Sequence, residues 1–138
     1  MSVDVGCTLF RGISLPKDII EKRIIIGEDI SDLLKSNKKN FAITSFTTNP
    51  RHACYIHKKK SDLNSQRIVF MLPKDTKAFP IDGHILSSPF QSEFIKPNND
   101  LSGYFIKDIQ TKADYSIGGF TFVLLTQAPS VIEIKPKI

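Results

Sequence analysis

The run Arg67 to Leu72, RIVFML, is nearly continuous in apolar side chains and ends at Pro73. Strand side chains alternate between faces, so a run without alternation has both faces to bury. It predicts a central strand, flanked by neighbours and covered above and below. The rest of the chain must therefore supply more strands, and it does. Phe41 to Thr48, FAITSFTT, is rich in β-branched and aromatic residues and reads as a strand. Ala78 to Pro97 reads as a strand, a Ser/Pro/Phe turn and a second strand. Leu101 to Ile109 and Gly119 to Thr126 read as two more, with Gly118 and Gly119 marking the turn between them. Val131 to Ile134 is expected to add an edge strand.

The first third has a different pattern. Cys7 to Ile13, CTLFRGI, is expected to be a short strand with Arg11 inside it. Ser14 as cap and Pro16 in the first turn predict a helix over Lys17 to Arg23. After Gly27, a second helix is expected over Glu28 to Asn37. There Ile30, Leu33 and Leu34 fall at i, i+3, i+4, and Glu28 and Asp29 suit the positive N-terminal end. Asn49-Pro50 predicts a turn, Arg51 to Tyr55 one helical turn, and Lys58 to Gln66 a polar loop. Helices grouped early and strands grouped late argue against the βαβα alternation of a Rossmann sheet. The expected fold is a strand-rich α+β domain.

A length of 138 residues fits one domain with a single core. An apolar fraction of 41% and a charged fraction of 24% are those of a soluble globular protein. No apolar run approaches the roughly 20 residues of a membrane helix, and MSVDVGCTLF lacks the basic start and apolar core of a signal peptide. Secretion by a route without a cleaved signal and excision from a larger chain both stay open. The formal charge of +5 and the pI of about 9.3 favour acidic partners, such as a phosphate-rich cofactor, nucleic acid or an acidic protein face. Cys7 and Cys54 are too few for a disulfide scaffold. His52, His57 and His84 lack a ligand spacing such as HExxH, so no structural or catalytic metal is expected. There is no Walker loop and no GxGxxG.

Three short features remain. Phe10-Arg11-Gly12 places a cation inside the first strand, Ser45-Phe46-Thr47 lies on the next strand, and Gln91-Ser92-Glu93 opens a strand beside an exposed turn. Strand alternation puts Gln91 and Glu93 on one face and Ser92 on the other. Each feature alone also fits an ordinary solvated strand, and the alternative to an enzyme is a non-catalytic basic binding domain.

In order and context these features resemble the mono-ADP-ribosyltransferases of the Arg–Ser–Glu type. That family has an aromatic-Arg-Gly in its first strand, a Ser-Thr-Ser opening the next core strand, and a Glu-x-Glu or Gln-x-Glu after an acceptor-recognising turn. The downstream pattern is similar too, in IVFMLP, KAFPIDG, SSPF and QSEFIKP, and the resemblance runs from about Thr8 to Phe122. Two departures stand out. The middle motif is Ser45-Phe46-Thr47 rather than Ser-Thr-Ser, and only ten residues precede Arg11, where many toxins of the family carry a helical lobe. The resemblance implies a split β-sandwich with short helices in the N-terminal third. It makes the chain either a minimal version of the family or a catalytic domain cut from a larger toxin.

The resemblance also implies a chemistry. NAD, as substrate, would lose nicotinamide and pass ADP-ribose to an acceptor through an oxocarbenium-like transition state. Glu93 would stabilise the charge on the ribose, and Ser45 would hold Glu93. Arg11 would fork two donors onto phosphate or ribose oxygens. Gly12, Ser45, Thr47 and Tyr55 would complete the NAD site, with Tyr55 or Phe46 covering the nicotinamide ring. Phe90 and Gln91 would read the acceptor. An amide at Gln91 supplies no charge for an arginine acceptor; in the family, Gln at this place accompanies Asn, Gln or Cys acceptors on proteins, or guanine bases in a DNA-modifying branch, and the resemblance implies one of these. The implied partners are a target protein in a host or competitor cell, a nucleic-acid acceptor, and a neutralising immunity or chaperone protein, with no membrane. The implied location is secreted, or delivered into the target-cell cytoplasm.

Overall fold

The computed structural model describes residues 3–4, 7–35, 43–55, 65–80, 93–112 and 120–127. The strands are β1 Val3–Asp4, β2 Phe10–Pro16, β3 Ile43–Thr47, β4 Ser65–Met71, β5 Lys77–Pro80, β6 Glu93–Pro97, β7 Phe105–Lys112 and β8 Phe120–Thr126. The helices are α1 Lys17–Arg23, α2 Ser31–Leu34 and α3 Pro50–Tyr55, with a 3-10 turn at Asn98–Asp100. The strand-rich α+β reading holds, and the α-helices among the described residues all lie within the first 55.

The strands form one hydrogen-bonded order, β1-β5-β6-β3-β2-β4-β8-β7. β4 lies between β2 and β8, antiparallel to the first and parallel to the second. Its consecutive residues Ile68, Val69 and Phe70 are all fully buried, as a strand covered on both faces requires. Ile68 and Phe70 join the main core with Leu9, Phe46, Leu72, Tyr104, Ile106, Val123 and Leu125, closed by Ile24, Ile30 and Leu34. Val69 points the other way, to Ala53 of α3, with Phe10 and Phe122 alongside. Phe10 and Phe122 meet edge to face, ring centroids 6.5 Å apart.

Several boundaries differ from expectation. The first motif strand begins at Phe10, not Cys7, and runs on through Ser14 to Pro16. Ser14 therefore pairs with Arg67 in the ladder instead of capping α1, and Pro16 takes the cap position. The second helix is only Ser31–Leu34 within the described residues. Residues 27–30 instead run beside β7, with Gly27 N–H donating to Ile106 O, Ile106 N–H to Glu28 O and Ile30 N–H to Tyr104 O. Gly27 turns into this segment at φ +93, a conformation glycine adopts without steric cost. Asp29 Oδ1 takes the Ser31 N–H at 2.9 Å and the Ser31 hydroxyl at 2.6 Å, a local turn that leads into α2. Arg23 forks onto Asp32 at 2.9 and 2.5 Å and ties α1 to α2. β4 begins at Ser65, so the last two residues of the expected polar loop are strand. β7 is shifted to Phe105–Lys112, and the two-residue β1 had no sequence signal. The turn of the Ala78–Pro97 stretch, the Gly118-Gly119 turn and Val131 to Ile134 lie outside the described residues.

β5 pairs with β6 only at Phe79↔Ile95 and Pro80↔Phe94. Continuing that register would set Lys77 opposite Pro97, which has no N–H to donate. Lys96 Nζ donates to the Lys77 carbonyl instead, from a side chain 8% exposed. Burial lowers the pKa of that amine, and the Asp100 charge offsets part of the effect. Lys96→Met is expected to release this end of β5. Hydrogen exchange at the Lys77, Ala78 and Phe79 amides should quicken while β3 stays protected. Unchanged protection at all three would remove the amine as a clamp.

Candidate active site

The three sequence motifs arrive on three adjacent strands, β2, β3 and β6. β3 and β6 share five rungs, from Ile43↔Pro97 to Thr47↔Glu93. β2 and β4 share seven. Between β2 and β3 there is one rung, Phe10↔Thr47. Beyond it the two strands separate, so the sheet is nearly split into halves of four strands. The split expected from the resemblance falls here, with Arg11 and Gly12 on one lip and Ser45 on the other.

Arg11 bridges the split. Its Nη1 donates to the Ser45 carbonyl oxygen at 3.4 Å, a long bond. The Nε atom is buried with no hydrogen-bond partner. Burial lowers the guanidinium pKa, although an arginine still keeps its charge. Among the described residues the salt bridge found is Arg23–Asp32, and no carboxylate pairs with Arg11. A half-buried cation without a counter-charge is costly unless something anionic completes it. The geometry suits an anionic ligand entering the split.

Alternation sorts the other side chains. Opposite residues of a rung share a face, so Phe10, Thr47 and Glu93 lie on one face in one row. Ser45 shares that face and is exposed, whereas Thr47 is 3% exposed. Glu93 is half-buried. Thr47 stands directly opposite Glu93, while Ser45 stands opposite Ile95. The structure therefore brings Arg11 to the Ser45 backbone and Glu93 to Thr47, with Ser45 on the diagonal to Glu93.

Gly12 has a structural reason to be glycine. A Cβ there would lie 1.8 Å from the Ala53 carbonyl oxygen of α3. α3 reaches this close through its capped start. Thr47 Oγ1 accepts the Asn49 N–H at 3.1 Å, Asn49 Oδ1 accepts the Arg51 N–H at 3.0 Å, and Asn49 O accepts the Ala53 N–H at 3.2 Å. Pro50 sits at the first helical position, where a missing N–H costs nothing. Thr47 thus serves the turn from β3 into α3 as well as the candidate site.

Of the two aromatics expected to cover a nicotinamide ring, Phe46 is 2% exposed and belongs to the main core, which removes it. Tyr55 ends α3, with its side chain outside the described residues. Phe90 and Gln91 also lie outside them. Phe10 is the aromatic that shares a row with Glu93. The sequence placed it only as the residue before Arg11, because no local pattern reveals which strand will lie beside which. Among the described residues no group of three or more His, Cys, Asp or Glu side chains gathers into a metal site, and no helix is long and apolar enough to cross a membrane.

Comparison with solved structures finds similarity to Vis toxin, an ADP-ribosyltransferase from Vibrio splendidus. The TM-score is 0.41 at 16% sequence identity, over 95% of this chain and 52% of that one. The chain thus spans about half the length of that protein. No family model and no curated protein matches the chain.

Gly12→Ala is expected to push α3 off the sheet, because the clash is with backbone and not with a flexible side chain. Overpacking of this kind costs about 1–3 kcal/mol or more. Thermal unfolding should show a drop of several degrees or outright misfolding. A melting temperature equal to that of the unmodified protein would show that α3 does not rest on Gly12.

Proposed function

We propose that this chain is an NAD-dependent mono-ADP-ribosyltransferase domain that moves ADP-ribose from NAD to a side chain of a target protein. The supporting observation is the Arg11 guanidinium at the β2–β3 split. It is partly desolvated, holds the Ser45 carbonyl, has no carboxylate partner among the described residues, and lies one strand from the Thr47–Glu93 rung. An anionic dinucleotide would supply the missing counter-charge, through the paired donors that a guanidinium offers to phosphate.

In this reading Arg11 binds and orients the substrate, and the half-buried Glu93 carboxylate faces the ribose. The bond between ribose C1′ and the nicotinamide nitrogen breaks, and both electrons leave with nicotinamide. Glu93 stabilises the cationic ribose that develops. The acceptor side chain then forms a bond to C1′ and gives up its proton. Gln91 contributes hydrogen bonds to the acceptor and no charge, which favours an amide or thiol side chain over a guanidinium. Phe90 would contact the acceptor surface. The formal charge of +5 supports a second acceptor, a guanine base of a nucleic acid. A toxin or effector role, delivery into a target cell and a neutralising partner belong to the same reading.

Labelled NAD incubated with the protein and a cell lysate tests it directly. Label on a protein band is the expected result. Label on nucleic acid would move the assignment to the second acceptor, and no label with no released nicotinamide would overturn it. Arg11→Ala is expected to weaken NAD binding at least tenfold by calorimetry, and equal affinity would remove Arg11 from the site. Glu93→Gln should abolish both NAD hydrolysis and transfer, by about a hundredfold or more. Gln91→Ala should spare hydrolysis and lose most transfer. Equal loss of both in Gln91→Ala would refute the division of roles between the two residues.

A further inference from the structure

The resemblance gives Ser45 the task of holding Glu93, but the ladder gives Glu93 a different neighbour. Thr47 is directly opposite it, and Ser45 is two positions along. The type of rung matters. Arg11 reaches the Ser45 carbonyl from the β2 side, so Ser45 turns its backbone groups toward β2, away from β6. Thr47, two residues on in the same strand, turns the same way and pairs there with Phe10. The Thr47–Glu93 rung is therefore of the non-hydrogen-bonded type, in which opposing side chains come closest, about 4.5 Å between Cα atoms. A diagonal neighbour such as Ser45 stands about 7–8 Å off.

The hydroxyl inventory points the same way. A threonine hydroxyl has one proton to donate and two lone pairs. Thr47 Oγ1 accepts the Asn49 N–H, which uses a lone pair and leaves the proton. At 3% exposure that proton has little access to water and needs an acceptor nearby. Among the described residues neither that proton nor the Glu93 carboxylate has a hydrogen-bond partner, and the two side chains share a face and a rung. Ser45 is exposed, so its hydroxyl can be served by solvent or substrate.

We infer that Thr47, not Ser45, is the positioning residue for Glu93, donating its hydroxyl proton to the carboxylate while the Asn49 N–H locks its rotamer from the other side. The inference rests on the reading in which Glu93 faces the NAD ribose. It adds that the α3 cap and the carboxylate are coupled through one side chain. Ser45 is then left to the substrate and to the Arg11 contact.

The test uses the full chain with Glu93 observed by carboxyl carbon NMR, assigned by its loss in Glu93→Gln, beside the steady-state release of nicotinamide from NAD. Thr47→Val keeps the shape and removes the hydroxyl. It should move the Glu93 resonance and lower kcat about tenfold with KM for NAD unchanged, the sign of a lost orienting contact. Thr47→Ser should restore both readouts, and Ser45→Ala should leave the Glu93 resonance in place. If Thr47→Val fails to fold for want of the Asn49 bond, Thr47→Cys, with its weak donor, carries the same comparison. A Glu93 resonance that ignores Thr47 and follows Ser45 would overturn the inference. A resonance that follows Thr47 in a protein that releases no nicotinamide would sustain the inference and overturn the proposed function.

Discussion

One rung, Phe10↔Thr47, joins the two halves of the sheet. On one side β3 is zipped to β6 over five rungs, and on the other β2 is zipped to β4 over seven. Each half has its own hydrogen-bonded frame, so neither needs further rungs between β2 and β3 to stay formed. Beyond Phe10 the two strands can part without melting either half. Backbone groups that face such a split must find other partners, and the Arg11 guanidinium serves one of them at the Ser45 carbonyl. Arg11, Gly12 and Ser45 are gathered at the place where the register interrupts the sheet.

The same rung controls the third element of the site. Thr47 ends β3, and its hydroxyl takes the N–H of Asn49, whose own side chain opens α3. α3 then lays the Ala53 carbonyl over Gly12. The sequence from Thr47 to Ala53 is thus a short clasp that returns to β2 next to Arg11. Gly12 closes the clasp because it has no Cβ. The glycine beside Arg11 needs no ligand to explain it, since packing of α3 already demands it. That does not compete with a role in substrate binding. A bare backbone can accept a helix on one face while its peptide groups look into the split.

Much of the fold was legible because burial leaves a mark on composition. RIVFML carried the signature of a doubly covered strand, and Ile68, Val69 and Phe70 are that strand's buried centre. Lys17–Arg23 was legible from Pro16, even though Ser14 proved to be strand and not cap. The helix over 28–37 was overextended for a physical reason. Ile30 and Leu34 are buried as a helical face requires, but the Gly27–Ile30 backbone is drawn into bonds with Tyr104 and Ile106, which lie far away in sequence. Of the site, residue types and strand membership were legible. The pairing was not. Nothing local to Ser45-Phe46-Thr47 or to Glu93 says which residues will be opposite, because β3 and β6 are joined through other strands and their register is set by the whole sheet. That is why the sequence pointed to Ser45 as the neighbour of Glu93 where the ladder supplies Thr47.

Arg11 at the split and Arg23 away from it sit in different surroundings. Arg23 shows what a structural arginine looks like in this chain: half-buried, forked onto Asp32, with its pKa raised mainly by that hydrogen bond. Arg11 has the opposite environment, with burial lowering its pKa and one long bond to a carbonyl. A leucine there would fill much the same space at less cost, since an unpaired buried donor forfeits roughly 1–3 kcal/mol. In the proposed reading an anionic ligand offsets that cost, since no described carboxylate does. A site that leaves a positive charge incomplete holds back its best interaction for a negative ligand, and binding then recovers what folding gave up. The strand order adds the second half of the argument. The carboxylate of Glu93 stands one strand beyond, on a row with Phe10 and Thr47. Alternation starts the Arg11 side chain on the face opposite Phe10, Thr47 and Glu93, and its guanidinium comes back to the seam at the Ser45 carbonyl.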